Sequence, residues 1–308
     1  MKIGFIEPGL HVCGGIRRII ETANRLVNFG HTVTLFTPKG GECQWLPTKA
    51  TIIKLAKLQR YELDIVIFNL ADQYKDAKNA NAKKKVFWVL APEALYKTPD
   101  VPIKALHQGF HLIANSKFTV QYIKQHSKLK RIGKIPIVPG GINQFHFRHD
   151  KSQAKNFHAM YYGSNRPWKG TGIIETALRG TGLKILKMEG LNTPQNQLYK
   201  LYNSASTYIS AGQVEGFNFP ILEAMACGCP VICTDDGGSR DFVKDGINAI
   251  VTRRSAPDIR NAVVKLLADK PLQQKLRIEG LKTASNPKYN WDNATKLLEK
   301  TLEVLLAK

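Results

Sequence analysis

Two glutamates eight residues apart, Glu215 and Glu223, frame the part of this chain whose residue types could do chemistry. Between them, Gly216 gives the backbone freedom for a close approach to a ligand. Pro220 suits the first position of a helix, where its missing N–H would be unpaired in any case. The amides of Gly216, Phe217, Asn218 and Phe219 would then point out of a helix N-terminus, an anion site suited to a diphosphate. Carboxylates beside it would accept hydrogen bonds from sugar hydroxyls. In the plainer alternative, Glu223 only complements the helix dipole and Glu215 is a solvated loop charge. Taken alone, these residues leave the two readings level.

The elements expected to hold this segment alternate strand and helix. Apolar runs predict buried strands at 3–6, 33–36, 65–68, 86–90, 112–114 and 135–138. Between the first two, residues 15–29 carry Ile16, Ile19, Ile20, Ala23, Leu26 and Val27 at helical spacing, and Gly30 ends the helix. Repetition of this βαβ unit predicts a parallel, doubly wound sheet. Pro139, Gly140, Gly141 and a polar stretch break the pattern, which then restarts. Strands are expected at 158–162, 183–186, 208–210, 231–233 and 249–251. Helices are expected at 170–178, 193–203, 220–227, 257–268, 271–284 and 291–305. The reading is α/β, with two doubly wound domains facing across a cleft: residues 1–150, then 151–288, with 289–308 as a C-terminal helix.

At 308 residues the chain is long enough for two such cores. No stretch approaches the ~20 apolar residues of a membrane span, and the first residues lack the pattern of a secretory signal, so the expected location is cytoplasmic. Cys13, Cys43, Cys227, Cys229 and Cys233 form no paired CxxC clusters, which speaks for buried thiols over a zinc site or a disulfide framework. The net charge is +21, with +13 in residues 1–150 and +8 in the rest. Such a field favours anionic partners without choosing among them.

The run "EGFNFPILEAMACGCPVICTDDGG" resembles the signature of retaining glycosyltransferases of the GT-B fold, glycosyltransferase family 4. The resemblance implies two Rossmann-like domains, the first for the acceptor and the second for a nucleotide-diphosphate sugar, either a UDP- or a GDP-sugar. It implies that Glu215 contacts the donor sugar near the reacting carbon, that Glu223 binds the ribose hydroxyls, and that Gly216 to Phe219 hold sugar and phosphate. "AMYYGSNRPWKG" resembles the family's next donor loop: Gly163 and Lys169 match, and Ser164 stands where an Arg is usual, with Arg166 as the expected substitute. Two cations flanking a departing diphosphate would stabilise its developing charge. Met188, Glu189, Gly190 and Leu191 correspond to the stretch that closes over the nucleobase. In the first domain "EPGLHVCGGIRRII" resembles the family's first loop, so Gly14, Gly15, Arg17 and Arg18, with His11 and Glu93, are the candidates for an acceptor phosphate or the donor diphosphate, the two arginines being outward-facing solubility charges in the plainer alternative. The last helix resembles one that crosses back to the first domain.

The departures are specific. Asn218 stands where the family usually has Gly, Asn143 replaces an Asp, and the first-domain His common among relatives is absent, with Trp88, Pro92 and Glu93 in its region. No metal constellation is apparent, and the resemblance implies a front-face mechanism requiring no metal or cofactor. The expected acceptor is a glycan or a lipid-linked acceptor in cell-envelope polysaccharide or glycolipid synthesis. Basic clusters at Lys83–Lys85 and Lys124–Lys134 make an anionic membrane surface an expected peripheral contact. The alternatives are an inactive GT-B scaffold that binds nucleic acid or another polyanion, and a sugar-nucleotide epimerase. No nucleic acid is expected, because no aromatic-interleaved basic module is present.

Overall fold

The first strand, β1 (Lys2–Ile6), is apolar on both faces because it lies mid-sheet: Ile3 and Phe5 point to one side and Ile6 to the other, all buried. The computed structural model describes residues 1–90, 104–127, 133–189 and 195–308. In these residues β1 is followed by β2 (Thr32–Thr37), β3 (Thr51–Lys54), β4 (Leu63–Phe68), β5 (Ala82–Val89) and β6 (His111–Ala114), paired in parallel in the order β3-β2-β1-β4-β5-β6. Alternation continues across the sheet. Ile65, Ile67, Val86 and Trp88 face the same side as Phe5, while Val66, Phe68, Phe87 and Val89 face the other. A sheet buried on both faces is what parallel crossovers produce.

The helix from Gly14 to Asn28 begins one residue earlier than expected, because Cys13 serves as N-cap: its Sγ accepts the Ile16 amide at 3.4 Å. Residues 135–138, expected as a strand, contribute only an isolated bridge from Ile137 to Ala114. Pro136 and Pro139 remove the ladder donors that a strand would need.

A second sheet follows: β7 (Ala159–Tyr162), β8 (Ile185–Met188), β9 (Tyr208–Ser210), β10 (Val231–Thr234) and β11 (Ile250–Thr252), parallel in the order β11-β10-β9-β7-β8. Both of its faces are also covered. Met160, Tyr208, Val231 and Cys233 join one core, and Tyr161, Ile209 and Ile232 join the other. The structure is thus α/β with two Rossmann-like parallel sheets.

The chain divides between Gly141 and Ile142 rather than near residue 150: one unit comprises 1–141 with 291–308, the other 142–290. Residues 142–150 join the second unit because Ile142 and Phe147 are buried in its core and Phe147 meets Tyr202 edge-on at 6.1 Å. The helix Trp291–Leu306 buries Leu298 and Leu302 in the first unit's core, with Arg25–Asp292 at 2.6 Å and His31–Glu299 at 2.7 Å along its side. Among the described residues, no helix is long and apolar enough to cross a membrane.

Candidate functional site

In a doubly wound sheet the crevice for a ligand opens at the carboxyl ends of the strands, where the strand order reverses. In the second sheet that point lies between β7 and β9, which pair at Met160 and Tyr208. Beyond β7 the chain runs through Gly163 and Ser164 to a short 3₁₀ turn, Pro167–Lys169. Beyond β9 it runs through Ala211 to Glu215. There the Lys169 ammonium meets the Glu215 carboxylate at 2.6 Å. The lysine side chain is 35% exposed and that of the glutamate 12%.

Backbone contacts fix this pair. Gly170 has φ 73°, and a Cβ there would lie 2.3 Å from the Ala211 carbonyl oxygen, so only glycine lets the 3₁₀ turn sit against the exit of β9. Gln213 donates its amide to the Trp168 carbonyl at 2.8 Å. Arg254 forks across both segments, with Nε to the Ala211 carbonyl at 2.9 Å and Nη2 to the Pro167 carbonyl at 3.0 Å. Glu215 donates its amide to the Asp236 carbonyl at 2.9 Å.

The helix after Glu215 runs from Phe219 to Ala226, so Pro220 is its second residue rather than its first, and Asn218 is the N-cap. Its N-terminus, where helix amides point outward, stands at the same end of the sheet. Glu223, in the second turn of this helix, is buried at 2% exposure, and its Oε2 accepts the Tyr202 hydroxyl at 2.9 Å. Glu223 is therefore an inward-facing acid held by a buried tyrosine rather than a charge that only complements the helix dipole. Burial, with Glu223 nearby, holds the Tyr202 hydroxyl well above its usual range, so Tyr202 is a permanent donor. Phe217 is buried against Phe219, Phe242 and Tyr289, which anchors the loop from below.

The remaining expected donor residues divide. Gly163 sits under the Lys187 stem, where a Cβ would come within 2.8 Å of Cε. Ser164 donates its amide to Thr171 Oγ1 at 2.9 Å, closing the turn that leads to Lys169. Arg166 is exposed, with its guanidinium 5.7 Å from the Trp168 ring centre. Met188 is buried in the core, so its side chain is structural, and Glu189 is exposed and paired with Lys187 at 2.5 Å. Gly190 and Leu191 lie outside the described residues.

In the first unit Gly14 and Gly15 are at the start of their helix, and His11 is exposed before it. Arg17 and Arg18 are buried, at 8% and 1% exposure, which rules out two outward-facing solubility charges. Arg18 donates from Nη2 to the Val138 carbonyl and lies 4.6 Å from the Trp88 ring centre. Its Nε and Nη1, like Trp88 Nε1, have no hydrogen-bond partner among the described residues. Burial pushes the Arg18 guanidinium down to about 9. Glu93 lies outside the described residues.

Sequence reasoning passed over an acid in this unit. Glu7 follows β1 and Asn69 follows β4, at the reversal of strand order in the first sheet. Asn69 donates to Glu7 Oε1 at 2.6 Å, Oε2 has no partner among the described residues, and burial pushes the carboxyl up to about 8. Of the basic clusters, Lys83 pairs with Asp64 at 2.7 Å and Lys85 donates to the Lys78 carbonyl, while residues 128–132 of the second cluster lie outside the described residues. Among the described residues no group of three His, Cys, Asp or Glu could hold a metal ion, and Cys227, Cys229 and Cys233 are buried thiols whose pKa burial raises.

Comparison with known proteins gives these features a context. Residues 190–283, all within the second unit, match the family model described as Glycosyl transferases group 1. O-antigen chain mannosyltransferase B of Escherichia coli is 28% identical over 130 residues, covering 42% of this chain and 33% of that protein. Poly(glycerol-phosphate) alpha-glucosyltransferase of Bacillus subtilis is 24% identical over 242 residues, covering 76% and 32%. The matches thus span about a third of each of these relatives. The structure of Anabaena Alr3699/HepE in complex with UDP-glucose superposes with a TM-score of 0.81 at 18% identity, covering 99% of this chain and 100% of that one. The fold is GT-B, and the part that matches the glycosyl transferases group 1 model lies in its second unit.

Proposed function

We propose that this chain is a retaining glycosyltransferase of family 4 that moves a hexose from a nucleotide-diphosphate sugar to an anionic glycan or lipid-linked acceptor. One observation carries the reading: Lys169 and Glu215 meet at 2.6 Å at the strand-order reversal of the second sheet, beside the start of the Phe219–Ala226 helix. Bound donor would separate the pair. The ammonium of Lys169 and the exposed guanidinium of Arg166 take the diphosphate, with the helix amides, and the carboxylate of Glu215 accepts from sugar hydroxyls. Glu223, which accepts from Tyr202, takes a ribose hydroxyl as well.

In the reaction the bond from the anomeric carbon to the phosphate oxygen breaks, and the acceptor oxygen bonds that carbon on the same face. The acceptor proton passes to the departing phosphate oxygen, and nucleoside diphosphate leaves. The residues then have two tasks: they orient the reactants and stabilise the charge that develops on the leaving group. Cations at Lys169 and Arg166 supply that stabilisation without a metal. In the first unit Gly14, Gly15, Arg17, Arg18 and His11 are the proposed acceptor-side residues. The net charge of +21 supports an anionic acceptor, as does the polymer named for the Bacillus relative. Contact with an anionic membrane surface belongs to the same reading.

The test is a thermal-shift screen with UDP-, GDP- and ADP-sugars, followed by transfer assays with the donor that binds. A ligand at a hundred times its Kd stabilises the folded state by about 2.7 kcal/mol, a clear rise in melting temperature. No shift with any nucleotide sugar, at concentrations where the bare buffer ions also give none, would refute the proposal.

A further inference from the structure

Asn218 is the only non-glycine residue with positive φ among those described, at φ 63° and ψ 67°. Glycine would adopt that conformation at less cost, and asparagine tolerates it better than most residues. The side chain explains its presence. Asn218 is 8% exposed, and its Nδ2 donates to Asp236 Oδ2 at 2.6 Å and to Ser210 Oγ at 3.1 Å. It is therefore tied at once to the loop after β10 and to the last residue of β9.

Asp236 is the hub of the arrangement. It is 1% exposed, and its Oδ1 accepts both the amide and the hydroxyl of Ser239 at 2.8 Å each. Its carbonyl accepts the Glu215 amide at 2.9 Å, and Gly237 forms a parallel bridge with Glu215. Gly238 packs so closely on this segment that a Cβ would lie 2.3 Å from the Glu215 carbonyl oxygen. One residue thus fixes the segment after Glu215 through its side chain and the segment at Glu215 through its backbone. Glu215 in turn meets Lys169.

We infer that Asn218 and Asp236 form a positioning pair for Glu215: the amide-to-carboxylate bond sets where the Glu215 carboxylate stands relative to a donor sugar. The pair touches the reacting atoms only through Glu215 and the loop amides, so both are positioning residues. This inference rests on the glycosyltransferase reading. Burial raises the Asp236 carboxyl above its ordinary value, and the bonds from Asn218 and Ser239 oppose that rise.

The chemistry of the pair dictates its test. Asn218→Asp puts a second carboxylate at donor–acceptor distance from Asp236, and two buried carboxyls in contact cannot both ionise. They hold the loop together only while they share a proton. The double variant Asn218→Asp/Asp236→Asn reverses the polarity of the bond: the amide introduced at position 236 donates to the carboxylate introduced at position 218, and the amide's oxygen keeps both Ser239 contacts. Transfer rates are measured from about pH 5.5 to 8.5 for the wild type, each single variant and the double, with the donor found by the screen. Asn218→Asp should lose at least about tenfold in rate relative to wild type as pH rises from about 6 to 8, and the double variant should return to within about threefold of wild type throughout. Asn218→Gly keeps the left-handed backbone without the tether. It should fold with a near-native melting temperature and turn over at least about tenfold more slowly, which keeps the inference testable should Asn218→Asp fail to fold. A wild-type pH profile in a folded Asn218→Asp, a double variant no better than Asn218→Asp, or full activity in Asn218→Gly would overturn the positioning role while leaving the enzyme reading intact. A wild type inert towards every donor overturns both.

Discussion

Replacing Glu7 by Gln should remove a large pH dependence from the stability of this protein. In the folded chain the Glu7 carboxyl is buried, accepts one hydrogen bond from Asn69 and titrates near 8, against 4.5 for an unperturbed glutamate. Below pH 4.5 the folded and unfolded states both hold the proton and Glu7 contributes no pH dependence. Between 4.5 and about 8 the unfolded chain has released the proton and the folded chain retains it, so stability falls as pH rises through this window. Each pH unit corresponds to about 1.4 kcal/mol, which makes the loss about 3 kcal/mol by pH 7 and about 5 kcal/mol at the plateau above 8. Gln has the same shape, accepts the Asn69 amide through its oxygen and does not titrate. Urea unfolding of the wild type and Glu7→Gln at several values from about pH 5 to about pH 8.5 would measure the difference. The curves should lie within about 1 kcal/mol of each other at about pH 5 and separate steadily in favour of Gln at higher pH. Parallel pH dependences in the two proteins would mean that Glu7 is ionised in the folded state and that the reasoning fails. The result bears on the site, because Glu7 stands at the strand-order reversal of the first sheet as a neutral acid.

Two further outcomes follow from the contacts described. Lys169→Ala and Glu215→Ala should each lower transfer about 10²- to 10³-fold with unchanged unfolding curves, because in the proposed reaction each removes a group that acts on developing charge or on the sugar; full activity in either would overturn the site. Leu298→Ala, at a position with no exposed surface in the first unit's core, should destabilise that unit by about 2–5 kcal/mol in denaturant titration, and a loss below about 0.5 kcal/mol would mean that the helix is not part of the core.

Much of the architecture was legible in the sequence because both sheets are buried on both faces, so their strands stand out as apolar runs. The helix from Gly14 was equally plain from its period. What failed to announce itself was whatever depends on partners distant in sequence. β3 is a half-buried edge strand, Thr51–Lys54, too short and too polar to form a run. Residues 135–138 had the composition of a strand but lacked an amide at Pro136, with Pro139 directly after them. At the site, residue type and spacing brought out Glu215 and Glu223 but left two readings of them level, and Lys169 stood out only through the family resemblance. Arg254, Tyr202 and Asp236 could not. Their roles arise from tertiary contacts 43, 21 and 18 residues away in the chain, to Ala211, Glu223 and Asn218. Asn218 looked like a defect in a glycine loop, because sequence gives no sign that its amide has a buried carboxylate to bind. For Arg18 an outward-facing charge stayed open, and Glu7 drew no reading, for the same reason: nothing local reveals burial.

The return of the Trp291–Leu306 helix to the first unit has a consequence for how the protein is made. The second unit is continuous in sequence, from 142 to 290, and all of its core residues leave the ribosome before residue 291. The first unit is translated earlier, yet it lacks Leu298 and Leu302 until the rest of the chain has been synthesised. Domains usually mature in the order in which they are synthesised. Here the order is inverted at the final step: the unit begun first is finished second, and during synthesis its apolar face beneath that helix waits uncovered, the stretch of biogenesis in which a chaperone would have most to bind.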